Sequence, residues 1–193
     1  MILYTQLKRD FVTSTLIKKR IALIENLQFR KAIASDLPFI WDILKQAISR
    51  RKKDGSNQWQ DGYPNPSVIE GDIAKGCGYV LLEKKTIVGY TAILINDEPE
   101  YARIEGEWLS NEDFVVFHRV AISQDHLGTG LAKKLFLHIE NFAKHHKINS
   151  VKADTNFDNP AMLALFDKLG YKYCGQVYFR GSPRRAYEKL LQP

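Results

Sequence analysis

The sequence predicts an α/β fold, in which a mixed central sheet is flanked by helices. Three observations lead there. Short apolar segments bounded by glycine, proline and charged turns alternate with segments whose apolar residues recur at helical spacing. The run Phe114–Ile122 is near-continuously apolar, as expected for a strand covered on both faces in the middle of a sheet. The chain then closes on two consecutive strand-like segments, Tyr171–Phe179 and Ala186–Leu190, around the turn residues Gly181, Ser182 and Pro183.

Each element follows from its own residues. Phe29–Ile33 reads as a short strand, and Ser35 then stands as N-cap to a helix carrying Leu37, Ile40, Trp41, Leu44 and Ile48. That helix is expected to dissolve into a charged loop over Arg50–Asn57, and the prolines and glycine of Gln58–Pro66 exclude regular structure. A short helix is expected over Ser67–Lys75, ended by Gly76 and Gly78. Tyr79–Leu82 and Thr86–Ile95 follow as a hairpin. From Asn96 to Asp113 the chain becomes a long acidic loop around Trp108, the kind of loop that carries function. After the central strand, Leu127–Gly130 turns into a helix through Leu131, Leu135, Ile139 and Phe142. Ile148–Ala153 is a strand, and Pro160–Leu169 a helix between Asn159 and Gly170. Residues 1–27, with Leu16, Ile17, Ile21, Ile24 and Leu27, are expected to form an added amphipathic helix that packs on the sheet or on another subunit, so a homodimer is one option; residues 28–193 make the main domain.

Composition narrows the function. A chain of 193 residues, 45% hydrophobic and 26% charged, is neither disordered nor membrane-spanning, because no apolar run approaches the roughly 18 residues that a spanning helix needs. Cys77 and Cys174 lack metal-ligand spacing, so no metal site is expected, and both read as reduced thiols. The N-terminal residues lack the apolar stretch of a secretory signal, and a cytoplasmic setting is expected. A net charge of +6 suits nucleic acid or an anionic small molecule. The basic residues are scattered and no nucleic-acid signature accompanies them, which favours the small molecule.

The chemical signal is the succession of buried strand, glycine turn and helix. The first N–H groups of such a helix lack intrahelical partners and carry the positive end of the dipole, so an anion belongs there. Gly128 and Gly130 let the backbone approach a pyrophosphate, and Ala132 keeps the next near position small. The same turn is also a plain strand-to-helix connection when taken alone.

Two spaced motifs add to it. Ala121–Ala132, with its Gly128-Thr129-Gly130 turn, resembles the glycine motif of the GNAT acetyltransferase superfamily, and Asn159 with Phe166, Gly170 and Tyr171 resembles its second signature in order and distance. The stretches Gln58–Pro64 and Ile104–Leu109 are similar to a bacterial branch of uncharacterised GNAT proteins. The resemblance implies a GNAT-like α+β fold, with a mixed, largely antiparallel central sheet flanked by helices, and an acyltransferase that moves acetyl from acetyl-CoA, as cosubstrate, onto a small-molecule or peptide amine. It implies that Val120, Ala121 and Ile122 line the pantetheine arm, that Leu127, Gly128, Thr129, Gly130, Leu131 and Ala132 cradle the pyrophosphate, and that Asn159 bonds the arm. Two positions depart from the pattern. Asp125 replaces the usual Arg or Gln, and Phe166 replaces the tyrosine that protonates the leaving thiolate, a donor that phenylalanine lacks.

The reaction needs an amine relieved of its proton and a polarised thioester carbonyl. Glu105 and Glu107 in the acidic loop and His118 on the central strand are the candidate bases; Trp59 and Tyr63 are candidate walls of the acceptor site. The carboxylates of that loop, in a basic protein, point to a cationic or polar amine. The competing reading from the missing phenol is a non-catalytic CoA-binding or sensing domain.

Overall fold

The computed structural model describes residues 27–192. The helix expected at the N-terminus lies outside the described residues, except that Leu27 opens the first strand, β1 (Leu27–Lys31). Next come α1 (Leu37–Lys53), α2 (Pro66–Ala74), β2 (Gly78–Glu83), β3 (Thr86–Ile95), β4 (Glu105–Gly106) and β5 (Phe114–Ile122). The remainder is α3 (Leu131–His145), β6 (Ser150–Thr155), α4 (Pro160–Leu169), β7 (Lys172–Phe179) and β8 (Ser182–Leu190). The expected elements are present, with one two-residue strand added inside the acidic loop. The α1 helix runs through Arg50–Lys53, which the sequence reading gave to a loop. Its last turn carries four cations, the charge that the negative end of a helix dipole favours.

The eight strands form one sheet in the order β1-β2-β3-β5-β6-β8-β7-β4, with β5 near the centre. All pairs are antiparallel except β5 with β6. The period of two along each strand divides the core between the faces. Tyr79 and Leu81 of β2 join Leu135, Phe136 and Ile139 of α3 and Phe166 of α4 on one face. Val80 and Leu82 join Ile40, Ile43 and Leu44 of α1 and Ile69 of α2 on the other.

In β5 the alternation breaks. Ala92 pairs with His118 but Tyr90 pairs with Ala121, so one extra residue is inserted in β5, and Arg119 there has φ of 56°. Before the insertion Val115 and Phe117 face α3; after it Ile122 does, and Ala121 faces α1. A bulge in the middle of a sheet thus turns two consecutive stretches of one strand toward different neighbours.

The acidic loop closes the far edge. β4 pairs with β7 at Gly106 opposite Gly175, where a Cβ on either would stand 2.1–2.2 Å from a backbone oxygen of the other strand, so only glycine fits. The fully buried Glu188 carboxylate accepts from the N–H groups of Leu109 and Ser110 and from the Ser150 hydroxyl, which anchors the rest of the loop.

The entry to α1 is fixed by Asp36. Its carboxylate accepts two bonds from Arg30, at 2.6 and 3.0 Å, and one from the Ile33 N–H at 2.9 Å. The hydrogen bond from Arg30, opposed by burial and helped by Ile33, holds its carboxyl below the ordinary value. Because the folded value is depressed, the unfolded chain binds more protons in acid, and this stabilisation is present above the ordinary aspartate value and lost as pH falls through the folded one. Asp36→Asn should therefore unfold more readily at neutral pH and lose less further stability than the parent between pH 4 and 2, as measured by urea unfolding across that range.

Candidate functional site

β5 and β6 pair only over Phe114–Val116 and Ser150–Lys152, although β5 continues to Ile122 and β6 to Thr155. Past that point the two parallel strands separate, and the edge of β5 no longer has a strand beside it. The resulting cleft has a volume of about 220 Å³. β5 lines it with Phe117–Ile122, β6 with Asp154 and Thr155, and α4 with Asn159, Met162 and Phe166. The end of α1 and the loop after it cover it with Arg50, Arg51, Gln58, Trp59 and Tyr63. A gap between parallel strands at their C-terminal ends, bounded by two helix N-termini, is where an open α/β sheet takes a ligand.

The mouth is the glycine turn. Leu127 and Ala132 line the cleft, while Gly128, Thr129 and Gly130 are exposed at its rim. Gly128 and Gly130 have φ of 75° and 85°, and no atom lies within 4 Å of a Cβ built on either. Glycine is required at both by the left-handed backbone, with open space in front of them. The first bond that α3 makes back to the turn is from Lys134 N–H to the Gly130 carbonyl. The N–H groups of Leu131, Ala132 and Lys133 precede it and point out of the helix end.

Two cations stand beside this mouth. Arg50 donates to the Ile122 carbonyl at 3.1 Å and to Gln124 at 2.8 Å; Arg51 donates to the Asn159 side chain at 3.1 Å. Burial, then the neighbouring Arg51 guanidinium, press the Arg50 charge below the ordinary arginine value, against the pull of Asp54. Asn159 also caps α4 by accepting from Met162 N–H and donates to Gln58.

At the inner end, Arg119 forks onto Asp72 at 2.7 and 2.9 Å, and Tyr90 donates to the same carboxylate at 2.6 Å. The remaining Arg119 nitrogen bonds the Tyr63 hydroxyl. Burial opposes the charge, but Tyr63 and Asp72 outweigh it and hold Arg119 above the ordinary arginine value. Tyr63 is further held by Arg180, whose guanidinium lies 5.7 Å from the ring and pairs with Asp61.

Next to Arg119 on β5, His118 Nε2 lies 2.7 Å from a Glu98 carboxylate oxygen. Burial pushes the Glu98 carboxyl up, against the pull of His118. Asp154, nearly enclosed, accepts from Tyr101 at 2.9 Å and Arg184 at 3.1 Å.

The structure therefore gathers Trp59, Tyr63, His118, Val120, Ala121, Ile122, Leu127, Ala132, Asn159 and Phe166 around one cleft. It does not bring Glu105 and Glu107 there. Both are exposed at β4, the far edge of the sheet, where Glu105 accepts from Tyr178 at 2.8 Å. Their pairing with β7 through Gly106 and Gly175 is what carries them away. Sequence reasoning missed Arg50, Arg51, Glu98, Asp154 and Thr155. The basic cluster at the end of α1, the position of Asp154 and Thr155 at the end of a strand and the acidic loop that holds Glu98 were usable signals; which carboxylate of that loop meets His118 was not legible. Phe166 is 1% exposed, and its ring stacks on Tyr187 with centroids 4.6 Å apart, so no phenol stands at that position.

A mixed sheet whose central parallel strands part beside an exposed glycine turn is an acyltransferase-type fold, and the comparisons agree. The acetyltransferase (GNAT) family matches residues 41–171, and the chain belongs to that family. A GNAT-family acetyltransferase of Streptococcus agalactiae superposes with a TM-score of 0.79 at 36% identity, covering 86% of this chain and 96% of that one. The uncharacterised N-acetyltransferase YesJ of Bacillus subtilis is 23% identical over 75% of this chain and 81% of its own length. The acetyltransferase yncA of Salmonella typhimurium, solved with its cofactor acetyl-CoA, shares the fold at 18% identity with a TM-score of 0.58, covering 86% of this chain and 95% of that one. Among the described residues no helix is long and apolar enough to cross a membrane and no group of metal-binding side chains occurs.

The turn yields a direct test. Gly130→Ala should cost about 1–2 kcal/mol in urea unfolding, because the added methyl forces an L-residue into left-handed backbone while touching nothing. A stability equal to the parent would show that the turn relaxes.

Proposed function

We propose that the cleft binds acetyl-CoA and passes its acetyl group to an amine. The observation that carries this is the parting of β5 from β6 directly behind the exposed glycine turn. The free edge of β5 at Val120–Ile122 offers backbone hydrogen bonds to an amide-bearing arm, and the turn Leu127–Ala132 offers N–H groups to a pyrophosphate. The acetyl-CoA-bound relative and the family membership support the same cosubstrate.

Each residue then has a role. Arg50, tied to Gln124 in the connection that leads into the turn, supplies the cation that Asp125 does not. Asn159, at the N-terminus of α4, offers its amide to the arm by exchanging its bonds to Arg51 and Gln58. The acceptor nitrogen approaches between Trp59, Tyr63 and His118. His118, paired with Glu98, takes the proton that the amine loses, directly or through water. The amine attacks the thioester carbon, the carbon–sulfur bond breaks, and the products are an amide and CoA thiol. With Glu105 and Glu107 at the sheet edge, selection of a polar amine rests on Glu98 and Asp154 instead.

Calorimetry with CoA, followed by free-thiol release from acetyl-CoA over polyamines, amino acids, aminoglycosides and peptide N-termini, tests this reading. CoA binding and turnover on one amine class are expected. Binding without turnover on any amine would assign the chain to non-catalytic CoA binding, the reading that Phe166 favours. Arg50→Ala is expected to weaken CoA about tenfold, the size of one charge-assisted contact, while an unchanged dissociation constant would remove Arg50 from the site.

A further inference from the structure

We propose that Tyr63, from the loop between α1 and α2, is the proton donor to the departing CoA thiolate. This rests on the acetyl-CoA reading of the cleft. Three observations place it there. The position from which a phenol would reach into the cleft from α4 holds Phe166, a ring with no proton to give. Tyr63 is the phenol that lines the same cleft, on the loop that covers it. Its oxygen is held by the Arg119 guanidinium at the β5 bulge, the end of the cleft opposite the glycine turn.

That bond decides where the phenol's proton points. Arg119 has no acceptor, so Tyr63 must accept from it and keeps its own O–H free to donate. Arg119 is in turn immobilised by Asp72, which Tyr90 also bonds, so the donor is presented by a rigid cation. The groups facing Tyr63 are Arg119 from β5, Asp72 behind it from α2, Arg180 from the β7–β8 turn and Asp61 from its own loop. The other hydroxyl in the cleft, Thr155 Oγ1, is buried without a partner, but an alcohol is too weak an acid to protonate a thiolate. His118 is engaged with Glu98 and serves the amine.

The step balances. As the carbon–sulfur bond breaks, its electron pair goes to sulfur, and sulfur takes the Tyr63 proton. The phenolate, held by Arg119, regains a proton from the one that the acceptor nitrogen sheds, relayed by His118 or water. Arg119 is a positioning residue in this scheme and Tyr63 a catalytic one.

The test needs no acceptor. CoA bound to the full chain is titrated by the ultraviolet absorbance of its thiolate, with the desulfo-CoA complex subtracted. A phenol that donates to the sulfur stabilises the thiolate, so Tyr63→Phe should raise the apparent pKa of the bound thiol by about one unit or more, a tenfold change in the equilibrium. Desulfo-CoA should bind the variant as it binds the parent. Phe166→Tyr, added to Tyr63→Phe, should bring the thiol titration back down by supplying a phenol from α4. An unchanged titration in Tyr63→Phe, or no recovery in the double variant, overturns the proposal. So does a shift that appears in His118→Gln instead. Loss of desulfo-CoA binding in Tyr63→Phe would give Tyr63 a structural role and also overturn it. Should that variant not fold, fluorotyrosine introduced at position 63 keeps the shape and strengthens the donor; a thiol titration that does not fall is then the contrary result. If the folded parent binds no CoA, the acetyl-CoA reading itself fails, which the desulfo-CoA control separates from the rest.

Discussion

One inserted residue in β5 underlies the architecture of the cleft. The bulge at Arg119 puts a non-glycine side chain in left-handed backbone, a conformation that costs on the order of 1–3 kcal/mol and persists only where its surroundings hold it. Here the fork onto Asp72 and the bond to Tyr63 hold it. The insertion flips the face of each later β5 residue, and β5 runs on without β6 beside it. Backbone groups that a neighbouring strand would satisfy are left for another partner, which here is Arg50 at the Ile122 carbonyl.

The arginines around the cleft differ in what they are free to do. Arg119 is saturated: its nitrogens meet a carboxylate and a phenol, and its charge is stabilised beyond the ordinary. Arg50 and Arg51 share the end of one helix, and the Arg50 charge is held at some cost. Positive charge is thus saturated at the inner end, while at the mouth Arg51 is paired with Asp54 and Arg50 donates only to neutral oxygens. The carboxylates of Glu98 and Asp154 are paired with His118 and with Tyr101 and Arg184.

In the acidic loop charge density alone does not sort the carboxylates: Glu98 turns to His118, while Glu105 and Glu107 lie exposed at the sheet edge. The loop's composition suggested a substrate-binding role, but its backbone is committed elsewhere. Two glycines dock it on β7, and a buried glutamate from β8 satisfies its amides. Lys152 lies beneath it between Trp108 and Phe114, where burial depresses its ammonium pKa. This is a structural clasp on the sheet edge, built from groups that a reading of charge alone cannot sort into site and scaffold.

The sequence by itself determined the fold class, the order of the elements from β1 onward, the central place of Phe114–Ile122 and the glycine turn after it. Each of these rests on local physics: side-chain period, turn chemistry at Gly128, Gly130 and Gly170, and the capping of α4 by Asn159. The other motif residues that line the cleft were legible only through their resemblance to the family's two signatures. Tertiary structure alone decided which distant side chains meet them. Arg50 reaches Ile122 across 72 positions, Arg119 reaches Tyr63 across 56, and Gln58 reaches Asn159 across 101. No periodicity encodes such pairs. The bulge that aims Arg119, and the glycine contact that removes Glu105 and Glu107 from the cleft, depend on strand register, which is fixed only when the whole sheet has formed.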